Sequence, residues 1–470
     1  MSVASSRARA AVRALDPGWI LCVAGATALS IAAALVPLQA AFVALALAGA
    51  AVLINRLGPR LGLWCLFVAM IPMRGPLSVD VSGSTTLFAN DVLLLALTVA
   101  CIRENGLRGI LRRSPSFRIG ALLAALTLGG LYTATRLKWG LAFAVHEAAQ
   151  TAAFYVAWHW IRTGREAKYT LVAFVIGLLP AVVVGLRQSD QPVQQFLAQE
   201  EFLPAIAWDE AGNPHVRVFS TFEHPLHFSH ALSMGTGFAV GLFSAVAPPA
   251  RLLLASAASA FAYCNQYTYS MGGLLGTIGA VVTVLLLSRR RWVFGLLPVI
   301  LFVWLLVAPQ ALLVRIENSF SGRNPTTGAR IITYIQTLRV LQDHPVLGVG
   351  WGSIRTALEE NYRITRDQNV SFTAENYFLE RALAFGLVGL TLTLVLCGLF
   401  FRNARSRPPP DPLPWPRAAI LCGGVAFYVQ AQFIPAADPP SRYLLWILLA
   451  LAERMRILAR RAATADGTSR

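Results

Sequence analysis

The sequence predicts an all-α polytopic membrane protein of about 12–14 transmembrane helices, with one large extracytoplasmic loop containing an amphipathic helix. Three observations carry this. Of the 470 residues, 56% are apolar and only 13% charged, whereas soluble domains use roughly one-quarter charged residues. Apolar runs recur along the whole chain, many near the ~20 residues that a bilayer core demands of a helix. The basic residues, which give a net charge of +17, gather in short clusters between those runs. Membrane topology signals are distributed in this way, so nucleic-acid binding is set aside.

The runs lie near 18–36, 38–55, 61–73, 89–102, 117–135, 140–160, 169–186, 226–245, 252–267, 271–288, 292–312, 376–401, 417–433 and 442–453. The first follows a basic stretch, but at roughly 20 residues it exceeds the apolar core of a cleaved signal. It reads as a retained span. With the N-terminus inside, the segments assigned to the cytoplasm hold 26 of the 40 Lys and Arg residues, including the run Arg289, Arg290, Arg291. Both termini are therefore expected on the cytoplasmic side of the inner membrane. Half of the remaining basic residues fall in one segment, 313–375. The charge rule governs short loops only, so that long segment is compatible with the outer face. The predicted organisation is an N-terminal bundle over 1–312 with an outer loop at 187–225, the large loop 313–375, C-terminal helices over 376–457 and a tail at 458–470.

Within the large loop, "LQDHPVLGVGWGS" (341–353) resembles a phosphate-cradling loop but lacks the preceding strand and βαβ context that a dinucleotide site needs. The residues before it place Ile331, Ile335, Leu338 and Leu341 on one helical face, with Arg330 and Arg339 on the polar side. The following "DHP" stops that helix, because proline pushes its predecessor out of the α region. The glycines then allow a sharp turn and a close approach to membrane helices. A surface helix followed by a tight re-entry is expected.

Arginines form the first set of candidate site residues. Arg217 in "HVRVFSTFEHP", Arg323 and Arg330 in "SGRNPTTGAR", and Arg74 in "IPMRG" all fall in segments assigned to the outer face. The guanidinium fork suits phosphate oxygens and keeps its charge in nearly any surroundings. Each could equally pair with a lipid phosphate or a loop carboxylate. Glu375 and Asn376 open the long apolar helix that closes the loop. The helix dipole is a sufficient structural reason for a carboxylate there, and a general base acting on a hydroxyl acceptor is the functional alternative. His146 and Glu147 are ionisable at membrane depth, which suggests either a wet cavity or a mutually satisfied pair. His215, His224, His227 and His230 crowd one segment without the carboxylate or cysteine pattern of a closed zinc site, so no metal is assigned. The six cysteines are dispersed among the apolar runs and read as small buried residues.

An ordered set of motifs resembles the O-antigen ligase and polymerase superfamily of membrane glycosyltransferases. The set is "MIPMRG" with "NDVLLL", then "RVFSTFEHP", then "GARIITYIQTLRVLQDHPVLGVGWG", and finally "ENYFLERALAFGLVGL". The resemblance implies transfer of a glycan from a polyprenyl-diphosphate carrier to a hydroxyl of a glycan or lipid-glycan acceptor. It implies the outer face of the cytoplasmic membrane, neither nucleotide nor metal cofactor, and polysaccharide-assembly proteins as further partners. On this resemblance Arg217 and Arg330 match the arginines near the donor diphosphate and Glu375 the catalytic base. Arg74, Arg323, His224 and Asn376 are the expected substrate contacts. Where ligases of the family show His-Asn, this chain has Glu375-Asn376, and a carboxylate is a weaker base than imidazole. That departure, with "FEHPLHFSHAL", tilts the expectation toward a polymerase of O-antigen or exopolysaccharide. A ligase and a flippase of lipid-linked sugars are the alternatives, although no internal repeat of the transporter kind is evident.

Overall fold

A computed structural model describes residues 48–49, 51–73, 78–80, 86–197, 206–208, 213–287, 306–321, 325–361, 374–406, 416–433 and 439–467. The predicted span near 18–36, and most of those near 38–55 and 292–312, lie outside the described residues, as do Arg74 and Arg323.

The described chain is all-α apart from two short hairpins. Its main helices are α1 (Pro59–Met70), α2 (Ala89–Asn105), α3 (Pro115–Gly129), α4 (Leu137–Trp160), α5 (Gly164–Ser189), α6 (Pro225–Gly241), α7 (Pro248–Gln266), α8 (Met271–Leu287), α9 (Gln310–Phe320), α10 (Pro325–Asp343), α11 (Tyr377–Ala404), α12 (Arg417–Gln430) and α13 (Pro439–Gly467). The hairpins are β1 (Ser78–Asp80) with β2 (Thr86–Phe88), and β3 (Ile206–Trp208) with β4 (Pro214–Val216), both antiparallel. Most predicted apolar runs among the described residues thus coincide with helices. By length and composition α5 and α11 could cross a membrane, and α3, α8 and α12 are shorter apolar helices.

Sequence punctuation sets the helix ends. Thr163 and Glu166 form a capping box at the start of α5: each side chain accepts a hydrogen bond from a backbone amide of the other's turn. Prolines open α1, α3, α6 and α7, where the missing amide costs nothing. One group of helices packs α4 against α13, α3 and α2, and α1 against α5; a second packs α6 against α7, α8 and α12. Small residues bring α6 and α12 together, because a β-carbon at Gly237 would fall within 2.9 Å of the Cys422 carbonyl carbon. Close backbone approach of this kind is how helices associate where the hydrophobic effect offers no preference.

The loop that ends in GVGWG repairs a broken helix. Helix α11 is interrupted at Phe385 and Gly386, where φ and ψ leave the helical region. In an intact helix the amides of Leu387 and Val388 would donate to the carbonyls of Leu383 and Ala384. Here they donate instead to the carbonyls of Pro345 (2.7 Å) and Val346 (3.4 Å), while the Leu383 and Ala384 carbonyls accept from the amides of Val349 (2.8 Å) and Gly350 (3.0 Å). Segment 345–350 is spliced into the hydrogen-bond ladder of α11 and satisfies all four groups. In an apolar bundle such pairing is obligatory, since an unmet backbone group costs several kcal/mol.

Both glycines at the splice are required. Gly386 adopts φ 61 and ψ −155, a region that is essentially glycine-only, and a β-carbon there would strike the backbone of Val346. Gly348, at φ 64, would strike the carbonyl oxygen of Leu383. Trp351 then stacks on Phe143 of α4 with ring centroids 4.3 Å apart and meets Phe385 edge-on. We expect Gly386→Ala to cost roughly 3 kcal/mol, from backbone strain of about 1–2 kcal/mol and the loss of one or two splice hydrogen bonds. Thermal unfolding of the detergent-solubilised protein would measure it, with the exposed Gly109→Ala as a control expected to change little.

The helix expected before the glycine-rich stretch is α10, and it ends at Asp343, before His344-Pro345, as the proline rule predicts. Its burial is the reverse of a soluble helix. Thr333 and Thr337 face inward at 2% and 0% exposure, while Ile331, Ile335 and Leu338 are about half exposed.

Candidate functional site

Three arginines and one carboxylate converge beside the N-terminus of α11. Arg330, in α10, donates from Nε to Oε2 of Glu375 at 2.6 Å and from Nη2 to the carbonyl of Phe433 at 3.3 Å. Its guanidinium also lies 5.9 Å from the centre of the Phe433 ring. Arg217 follows β4 and is buried; its Nε donates to the Thr268 carbonyl at 3.2 Å, and the neighbouring Val218 amide donates to the Tyr267 carbonyl. Arg315, on α9, is the third cation. Its Nε is buried with no hydrogen-bond partner.

The electrostatics join these groups into one cluster. Burial, then the charges of Arg315 and Arg330, push the Arg217 guanidinium down to about 9, with Glu375 acting in the opposite sense. Burial and Arg330 likewise push Arg315 down, against Glu375. Such depression means that like charges are held together out of water at a cost. An anion placed among them would offset that cost and return the guanidiniums toward their usual range. Nearby, burial raises the phenol of Tyr334, whose hydroxyl donates to the Gln432 carbonyl at 3.4 Å.

Backbone strain concentrates at the same place. Among the described residues the non-glycine positions with positive φ are Ser220 (55°), Tyr269 (50°) and Glu375 (45°). Ser220 is three residues after Arg217, Tyr269 follows the residue whose carbonyl Arg217 holds, and Glu375 is the carboxylate itself. Such conformations cost of order 1–3 kcal/mol each and persist where the surroundings over-determine them. Glu375 is fixed from the next residue on: Asn376 caps α11, its Oδ1 accepting from the amides of Phe378 (3.0 Å) and Leu379 (3.1 Å). The Asn376 amide nitrogen donates to the carbonyl of Gln432 at 3.2 Å, and the Tyr377 amide donates to the carbonyl of Ala431.

Of the residues expected from sequence, Arg217, Arg330, Glu375 and Asn376 are therefore brought together. His224 caps α6 instead, its Nδ1 accepting from the Leu226 amide at 3.1 Å. Arg74 lies outside the described residues, but Pro72 just before it accepts a 2.6 Å hydrogen bond from Thr221, close in sequence to Arg217. Among the described residues no three His, Cys, Asp or Glu side chains converge as a metal site. Glu147 pairs with two arginines, Arg381 of α11 (2.7 Å) and Arg442 of α13 (3.3 Å), all essentially inaccessible to solvent. Sequence reasoning missed Arg315, Arg381 and Arg442. The available signal was an arginine next to long apolar runs, which is true of many arginines in this chain and so does not single these three out.

The described residues thus define a helical protein with membrane-type apolar helices and a partly buried cluster of three guanidiniums around one carboxylate at a helix terminus. Residues 254–394 match the family model described as O-antigen ligase, a stretch that contains Arg315, Arg330, Glu375 and the whole splice. That match supports membership of the O-antigen ligase/polymerase superfamily. A search of curated proteins finds no significant match.

Proposed function

We propose that the chain is a membrane glycosyltransferase that moves a glycan from a polyprenyl-diphosphate carrier to a hydroxyl acceptor at the outer face of the cytoplasmic membrane, and that it acts as an O-antigen or exopolysaccharide polymerase. The observation that carries this reading is the convergence of Arg217, Arg315 and Arg330 on Glu375. In this reading the guanidiniums hold the donor diphosphate and stabilise the charge that develops on it as the glycosidic bond breaks. The acceptor oxygen forms its bond to the anomeric carbon from the opposite side, the C–O bond to phosphate breaks with its electron pair on the phosphate oxygen, and Glu375 takes the acceptor's proton. Asn376 positions Glu375 by fixing the helix terminus. In this reading the groups face the outer side of the membrane, and keeping water from them limits hydrolysis of the donor. The exposed apolar residues Ile331, Ile335 and Leu338 of α10 support a position of this helix against lipid, and the reading takes both termini as cytoplasmic.

A second reading is a ligase, favoured by the description of the matching family. A strain lacking the protein separates the two. For a polymerase, single repeat units accumulate on the carrier and long chains are lost. For a ligase, long chains form and remain on the carrier. Unchanged carrier-linked and surface glycan would overturn both.

A further inference from the structure

We propose that Glu375 also sets specificity, discriminating the glycan-loaded donor from the spent carrier by charge; this rests on the diphosphate reading above and deepens it. The geometry that motivates it is the sharing of Arg330. Its Nε donor points at Glu375 Oε2 from 2.6 Å, and both side chains are about four-fifths covered. A phosphate oxygen that engages this edge of Arg330 must displace the carboxylate or lie beside it. The phosphate reaching Glu375 is the one bonded to the sugar, because Glu375 must also reach the acceptor oxygen at the anomeric carbon.

The charges then distinguish two ligands that differ only at that phosphate. Three guanidiniums and one carboxylate leave two positive charges in the cluster. A glycan-loaded diphosphate is a diester carrying about two negative charges, whereas the spent carrier is a monoester with close to three at neutral pH. The additional charge sits on the terminal phosphate, next to Glu375. At a separation of about 5 Å and an effective dielectric of about 20, one added like-charge pair is worth a factor of order one hundred, which solvent and salt reduce to roughly tenfold.

The same balance times release. As the C–O bond to phosphate breaks, its electron pair adds a charge to the diphosphate, and the acceptor's proton neutralises Glu375 in the same step. The cluster and the leaving group stay matched until Glu375 passes its proton to water. The restored carboxylate then lowers the cluster's positive charge from three to two, and its repulsion of the terminal phosphate loosens the monoester. A histidine at this position would be neutral before proton uptake and could not repel the product afterwards. The carboxylate in this chain thus contributes a property that a stronger base would lack.

The test measures binding of a short-chain polyprenyl diphosphate and of the same lipid diphosphate carrying one sugar to the full-length protein in nanodiscs. Wild type, Glu375→Gln, Glu375→Asp, Arg330→Ala and Arg217→Ala are compared, with thermal unfolding confirming that each is folded. Glu375→Gln should bind the monoester at least about tenfold tighter than wild type while the diester changes by less than about threefold, and Glu375→Asp should keep the wild-type ratio. If Glu375→Gln leaves the ratio of the two affinities unchanged while Arg330→Ala weakens both, the discrimination is refuted and the diphosphate reading stands. If Arg330→Ala and Arg217→Ala leave both affinities unchanged, the diphosphate reading itself fails and the discrimination with it.

Discussion

Arg330→Ala is expected to lower glycan transfer by two to three orders of magnitude, roughly the effect of removing one preorganised donor from a transition-state site. Two effects add in the same direction. In the proposed reading the donor diphosphate loses a guanidinium whose geometry is fixed by the Phe433 carbonyl and ring. The Glu375 carboxylate loses its 2.6 Å partner and with it the contact that orients it at a strained backbone position. Arg330→Lys should recover only a small part of the activity, because an ammonium cannot bridge Glu375, the Phe433 carbonyl and a phosphate oxygen as a planar fork does. Transfer measured in membranes with a lipid-linked oligosaccharide donor checks this. Activity of Arg330→Ala within threefold of wild type would remove Arg330 from the site.

The largest expected effect on stability lies in a second, fully buried ion cluster. Glu147 is the carboxylate between Arg381 and Arg442, and all three side chains are sealed from solvent. Glu147→Leu leaves two buried guanidiniums facing each other without the carboxylate between them, and breaking a buried pair in this way costs about 3–5 kcal/mol. The variant should accumulate poorly and unfold well below wild type in detergent. The triple replacement Glu147→Leu, Arg381→Leu, Arg442→Leu removes every charge together and should recover most of that loss, since apolar substitution of a whole buried ion cluster is often neutral or stabilising. A Glu147→Leu protein as stable as wild type would show that the cluster is not an energetic unit. Arg381 also lies 5.3 Å from the Tyr377 ring and 5.6 Å from that of Trp351, so the same residue ties the short first part of α11 to the GVGWG segment.

The helical class of the protein was legible because the bilayer imposes a simple rule on composition: apolar runs of helix length, separated by clusters of Arg. The ends of α10 and the start of α11 were legible for a local reason as well. Proline excludes the α region before it, and asparagine caps a helix with its own side chain. The sequence also pointed to Arg217, Arg330, Glu375 and Asn376, through residue type and the ordered motifs around them.

Their convergence was decided by tertiary structure, because they come from three separate segments of the chain and no local spacing relates Arg217 to Glu375. Arg315 escaped notice for the same reason: nothing in "LLVRIE" distinguishes a guanidinium aimed at a shared site from one aimed at lipid. The break in α11 was equally hidden. "ALAFGLVGL" reads as uninterrupted apolar helix, and only the approach of Pro345–Gly350 supplies the four backbone partners that make a gap at Gly386 tolerable. Sequence alone determined which residues could carry the charge and where helices begin and end, since those follow from side-chain chemistry and short-range sterics. Which charges face one another, and which helix is allowed to break, depended on long-range packing that satisfies buried polar groups.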